Sequence, residues 1–176
     1  GLRKNTILGT SSARRKSLIR SFRPDLKIKE LRGNVPTRIQ KLRDGQYDAI
    51  LMAKAGADRL NLDLSDFEVV VLDPVEFIPA PAQGVLGMQI REDDQEMQEI
   101  MTQIHHTDVA ANIAVERKVL NLLDGGCRLP LGVYCPNPNT AYVSYSKDLE
   151  GAADFFTFDL TKHEHAAEHI VKSLLK

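Results

Sequence analysis

Two kinds of feature in this chain of 176 residues are capable of chemistry: one thiol in an unusual setting, and two strand–helix joints that carry arginines. The thiol is Cys127, in Asp124-Gly125-Gly126-Cys127-Arg128-Leu129-Pro130-Leu131-Gly132. A helix-like stretch runs from Asp108 to Leu123 straight into the two glycines, which puts Cys127 on a tight turn beside a fixed positive charge and ahead of a strand. A neighbouring guanidinium favours the thiolate, the nucleophilic form of sulfur. The alternative is a small residue packed at a helix end, the common fate of a free cysteine. The first joint is Gly9-Thr10-Ser11-Ser12-Ala13-Arg14-Arg15 and the second is Arg32-Gly33-Asn34-Val35-Pro36-Thr37-Arg38. In both, arginines fall in or beside a first helical turn, against the positive end of the helix dipole. A bound anion removes that penalty, because free N–H groups, hydroxyls and guanidinium forks all donate to carboxylate or phosphate. Arg59 follows a third strand and joins the same cluster unless Asp58 satisfies it locally.

The elements that must hold these residues alternate through the first half. Strands are expected at Thr6–Leu8, Lys27–Leu31, Ala49–Ala53 and Glu68–Leu72, with helices at Ala13–Phe22, from Asn34 to about Leu42, and at Ala55–Leu60. This order predicts an α/β fold with a doubly wound, mostly parallel sheet, in which ligands bind at the C-terminal ends of the strands. Asp73-Pro74, Ile78-Pro79-Ala80-Pro81 and Gln83-Gly84 punctuate a linker, followed by a short strand over Leu86–Ile90. A helical region broken near His105-His106-Thr107 comes next, with Thr107 or Asp108 as the cap of its second helix. Strands at Leu131–Cys135, Ala141–Ser146 and Ala153–Phe158 and a helix from His163 to Leu175 complete a small α+β unit with an antiparallel sheet.

Composition narrows the function classes. Residues 1–60 hold 15 Lys and Arg against 5 Asp and Glu, a net of +10, and the remainder holds 8 against 19, a net of −11. The basic half therefore attracts an anionic partner. Phe22 and Tyr47 are its only aromatic residues, which argues against a base-stacking nucleic-acid surface. No run approaches a membrane span, and the start of the chain does not read as a signal peptide. Two cysteines make no disulfide framework and suggest free thiols in the cytoplasm. Neither His105-His106 nor His165/His169 finds a third ligand, so no metal site is expected.

Taken together, GTSSARR (Gly9–Arg15), RGNVPTRIQKL (Arg32–Leu42), YDAILMAKAG with RL (Tyr47–Leu60), PAPAQGVLGMQIR (Pro79–Arg91) and VERKVLNLLDGGCRLPLG (Val115–Gly132) resemble the porphobilinogen deaminase (hydroxymethylbilane synthase) family, in that family's order. The resemblance implies a transferase of porphyrin and heme biosynthesis. Such an enzyme joins four porphobilinogen units, with loss of ammonia, into hydroxymethylbilane on a dipyrromethane cofactor bound through a thioether. It assigns the thioether to Cys127, cofactor binding to Ser12, Arg14, Arg15, Arg32, Arg38, Gln83 and Gly84, and substrate binding to Arg14, Arg38 and Arg59. It also implies a periplasmic-binding-protein-like α/β domain over 1–78, a segment over 79–104 that returns to a further domain, and an α+β domain over 105–176. The family's catalytic aspartate lies ahead of GTSS, and Ala57 stands where a larger apolar residue is usual. The chain is thus expected to be an inactive part of a longer, monomeric enzyme, with porphobilinogen and the growing polypyrrole as partners and neither nucleic acid nor membrane. The alternative is a non-enzymatic small-anion-binding module of the same doubly wound type, which gives Cys127 no role.

Overall fold

The computed structural model describes the chain except for residues 125, 163 and 164 and the side chain of Cys127. Its order is β1 (Ile7–Gly9), α1 (Ala13–Phe22), β2 (Lys27–Lys29), α2 (Val35–Arg43), β3 (Ala49–Ile50), α3 (Lys54–Arg59), α4 (Gln95–Ile104), α5 (Thr107–Leu122), β4 (Leu131–Asn137), β5 (Thr140–Tyr145), β6 (Asp154–Asp159) and α6 (Ala166–Leu174). The α/β expectation holds in outline, with a parallel sheet ordered β2-β1-β3 and an antiparallel sheet ordered β4-β5-β6.

Local chemistry explains the first unit. Ser12 caps α1 by accepting from the Arg15 N–H, and Asn34 caps α2 by accepting from the Thr37 N–H at 2.9 Å. Pro36 lies in the first turn of α2, where the missing N–H costs nothing. Gly33 has φ +121°, a conformation that disfavours any side chain, and an added Cβ would lie 2.8 Å from Thr37. Leu8, Ile19 and Leu26 form the small core beneath this sheet.

The second unit is better filled. α6 buries Ala167, Ile170, Val171 and Leu174, the i, i+3, i+4, i+7 stripe of a surface helix, against Val133 and Val143 of the sheet. Pro138-Asn139 make the two-residue connection from β4 to β5. A register shift between Tyr134 and Asn137 surrounds Pro136, which has no N–H to give the ladder. The cap of α5 falls at His106 with no side-chain bond, one residue before the expected Thr107 or Asp108. Asp108 instead sits in the first turn, where its charge suits the helix dipole. Residue 163, the expected start of the last helix, lies outside the described residues.

Two expected strands do not form. Glu68–Leu72 and Leu86–Ile90 are without strand structure. Val69, Val70 and Val71 are 60–68% exposed, and Leu86 and Met88 are also exposed. β-Branched composition favours a strand only when a neighbouring edge takes its backbone hydrogen bonds, and β3 pairs only with β1. β3 is correspondingly short, two residues rather than five.

The two units meet along α1 and along Ile78–Gln83. Ala153 N–H donates to the Ser21 hydroxyl at 2.8 Å, and that hydroxyl donates back to Ala153 O at 2.8 Å. Val133 N–H donates to Pro79 O at 3.1 Å. At Gly132 the approach is closest, since a Cβ there would stand 2.7 Å from Ile78 O and 2.5 Å from the Ser144 hydroxyl. Gly132→Ala is therefore expected to destabilise the chain by about 1–3 kcal/mol, read from the midpoint of urea unfolding. An unchanged midpoint would mean that the junction is loose.

Candidate functional site

The first turn of α1 carries Arg14 and Arg15, and neither α1 nor α2 has an acidic residue in its first turn. Arg14 is 5% exposed. Its guanidinium donates to Ile78 O at 2.6 Å and to Gln83 Oε1 at 3.1 Å. Burial, and then the charge of Arg15, lower its pKa to about 10, so it remains cationic at neutral pH. Arg15 donates through Nη1 to Leu51 O at 2.9 Å. Its pKa is lowered too, first by burial and then by Arg38. Arg38 is half-buried at the start of α2 and donates through Nε to Gly33 O at 2.8 Å. Three guanidiniums thus share one region and repel one another in sequence. Among the described residues, no ion pair involves Arg14, Arg15, Arg38 or Arg59. Partly desolvated positive charge held only by carbonyl and amide dipoles is an arrangement that an incoming anion completes.

A cleft of about 330 Å³ opens beside these groups. Arg14, Arg15, Gln83 and Lys54 line it, together with Met52, Val71 and Phe77. An apolar wall with a few convergent polar groups is the usual make-up of a small-molecule site.

The structure brings Ser12, Arg14, Arg15, Arg38 and Gln83 together and leaves three expected residues apart. Arg32 is 87% exposed in its side chain, with Nε 4.0 Å from Glu30. Arg59 is exposed at the last turn of α3, while Asp58 pairs with Lys54 at 2.5 Å rather than with Arg59. Gly84 is exposed at φ +88° and supplies the turn after Gln83. Cys127 has its backbone in a 3-10 turn, Gly126–Arg128, at the end of α5. Its sulfur, the expected thioether position, lies outside the described atoms. The other cysteine, Cys135, is buried on β4, and burial together with the charge of Glu116 pushes its thiol up to about 12.

Sequence reasoning missed Glu116. This residue of α5 is 5% exposed, and its Oε2 accepts from Ala82 N–H at 2.7 Å while Oε1 accepts from Cys135 N–H at 2.8 Å. Burial raises its pKa. No sequence signal marked it, since α5 buries only Glu116 and Val119 and has no clear apolar stripe.

The donor set of Arg14, Arg15 and Arg38 is cationic and offers N–H groups to an anion. The family model described as porphobilinogen deaminase, dipyromethane cofactor binding domain, matches residues 1–99. Relatives named porphobilinogen deaminase include the following three. That of Syntrophobacter fumaroxidans is 43% identical over 71% of this chain and 40% of its own length. That of Oceanobacillus iheyensis is 44% identical over 76% and 43%. That of Fusobacterium nucleatum is 46% identical over 72% and 42%. The chain spans less than half the length of these relatives. With the family model covering more than half of its residues, the chain belongs to the porphobilinogen deaminase family.

Proposed function

We propose that this chain holds the anionic primer and growing chain of a hydroxymethylbilane synthase, a transferase of tetrapyrrole biosynthesis, by seating pyrrole carboxylates on Arg14, Arg15 and Arg38. The observation that carries this reading is the cluster of three guanidiniums at two helix starts with no acidic partner among the described residues. A guanidinium has five N–H donors. Two of those of Arg14 and one of those of Arg15 go to protein oxygens, so donors remain for a ligand. When bound, the dipyrromethane cofactor supplies the pyrrole end to which porphobilinogen units are joined.

The chain's own part is to bind and orient. Ser12 fixes the first turn of α1 and with it the direction of Arg15. Gln83 and Ile78 hold Arg14 in one pose. Arg32 and Arg59, both exposed, are assigned to carboxylates of later units, and Gly84 to the turn that presents Gln83. Cys127 is assigned the thioether. In support, Cys135 is buried and stays a thiol at neutral pH, whereas Cys127 neighbours Arg128.

The same reading makes 1–78 a doubly wound, periplasmic-binding-protein-like domain, 79–104 a connecting segment and 105–176 the cysteine-bearing domain of a monomeric cytoplasmic enzyme. The 176 residues alone are expected to bind porphobilinogen without polymerising it. Hydroxymethylbilane formed by them would contradict that expectation. No described helix is long and apolar enough to cross a membrane.

Porphobilinogen titrated into the chain should bind, and Arg15→Ala and Arg38→Ala should each weaken binding about tenfold, as loss of a charged hydrogen bond requires. Unchanged affinity in both would refute the anion site. In cells that make hydroxymethylbilane, intact mass of the full-length protein should show a dipyrromethane increment. Cys127→Ser should lack it and Cys135→Ser should keep it, whereas the reverse pattern would move the attachment to Cys135.

A further inference from the structure

Ile78–Gln83 is bonded by two buried charges. Arg14 donates to Ile78 O and Gln83 Oε1, and Glu116 accepts from Ala82 N–H. Gln83 itself is exposed, so little packing fixes its side chain. The residue before it, Ala82, has φ +58°, a left-handed conformation that a residue with a Cβ adopts only when its surroundings impose it. Ala82 is the third residue of a turn closed by Gln83 N–H donating to Ala80 O at 2.9 Å, with Pro81 at the second position, and the Glu116 carboxylate that accepts its N–H has its second oxygen tied to Cys135 N–H on β4. The carboxylate therefore bridges the filled sheet of the antiparallel unit to the turn that presents Gln83. A buried carboxylate is costly to desolvate, and an apolar residue would fill the same space without that cost.

We propose that Glu116 is a positioning residue for the anion site: by pinning Ala82 to β4 it sets Gln83, and through Gln83 it sets the pose in which Arg14 meets a carboxylate. The inference rests on the anion-site reading and deepens it by tying the site in the α/β unit to the antiparallel unit. Glu116 touches no ligand in this scheme and acts only through Ala82 and Gln83.

The test is a double-mutant cycle on the chain with two readouts. Nitrogen NMR of the free chain follows rotation of the Arg14 amino groups, which the bonds to Ile78 and Gln83 hinder, and calorimetry follows porphobilinogen affinity. Glu116→Gln keeps one acceptor oxygen and loses the other. It should speed the Arg14 rotation and weaken porphobilinogen about tenfold while the far-ultraviolet circular dichroism is retained. Gln83→Ala should do the same, and the double variant should be no weaker than Gln83→Ala alone. Glu116→Asp, which withdraws the charge by one methylene, should act in the same direction and serves where Glu116→Gln does not fold. Additive losses, or Arg14 rotation unchanged in a folded Glu116 variant, would overturn the proposal. Failure of both Glu116 variants to fold would also overturn it, by assigning Glu116 to stability alone. An unsubstituted chain that binds no porphobilinogen would remove the anion-site reading, while the NMR comparison still decides whether Glu116 controls Arg14.

Discussion

The segment Ile78–Gln83 bonds both a buried cation and a buried anion, which form no ion pair with each other among the described residues, and the two units are joined through it. Arg14 and Glu116 are each 5% exposed. Burial moves both towards neutrality, the arginine downward and the carboxyl upward. Each is compensated by dipoles: the Ile78 carbonyl and the Gln83 side-chain amide oxygen for Arg14, two backbone N–H groups for Glu116. Because the dipoles come from one short segment and from β4, the two charges dock the α/β unit and the antiparallel unit onto a common piece of backbone. The contact of Gly132 with Ile78 O and the bond from Val133 N–H to Pro79 O reinforce the same joint.

A cation balanced only by dipoles is also what an anion site requires. Had Arg14 and Glu116 paired directly, the local charge would be spent and the cluster with Arg15 and Arg38 would lose much of its pull. With the carboxylate bonded to Ala82 and Cys135 N–H groups instead, the arginines keep their charge for a ligand. The cost is borne by stability, since three guanidiniums repel one another at the positive ends of two helices. A chain selected only for stability would place acids there.

The surface divides as unevenly as the charge. The antiparallel unit closes a continuous core between sheet and helices α5 and α6. By contrast, Val69–Leu72 and the Ile100 and Ile104 side of α4 present apolar side chains to solvent. The physical difference is partnership: α6 finds a sheet to cover its stripe, while α4 carries a comparable stripe at Met97, Ile100, Met101 and Ile104 with no buried residue.

Local chemistry sufficed wherever a residue's role depends on its own neighbours in the chain. The helices near Ala13–Phe22 and Asn34–Leu42 and the strands and last helix of the antiparallel unit were legible because each is set by residues a few places apart, though the cap of α5 fell at His106 rather than Thr107 or Asp108. So was the arginine pattern, since a charge in a first turn is set by position alone. The motifs from Gly9 to Gly132 carried the family. What the sequence could not determine was anything that needs a partner far away. Whether Glu68–Leu72 becomes a strand depends on an edge to accept its hydrogen bonds. Whether Arg14 is buried depends on Ile78, 64 residues on. Glu116 reads as an ordinary helix acid until the fold brings Ala82 and Cys135 to its two oxygens. Spacing decided which groups this protein has, and tertiary structure decided which of them lose water, because desolvation is set by everything packed around a group and not by its place in the chain.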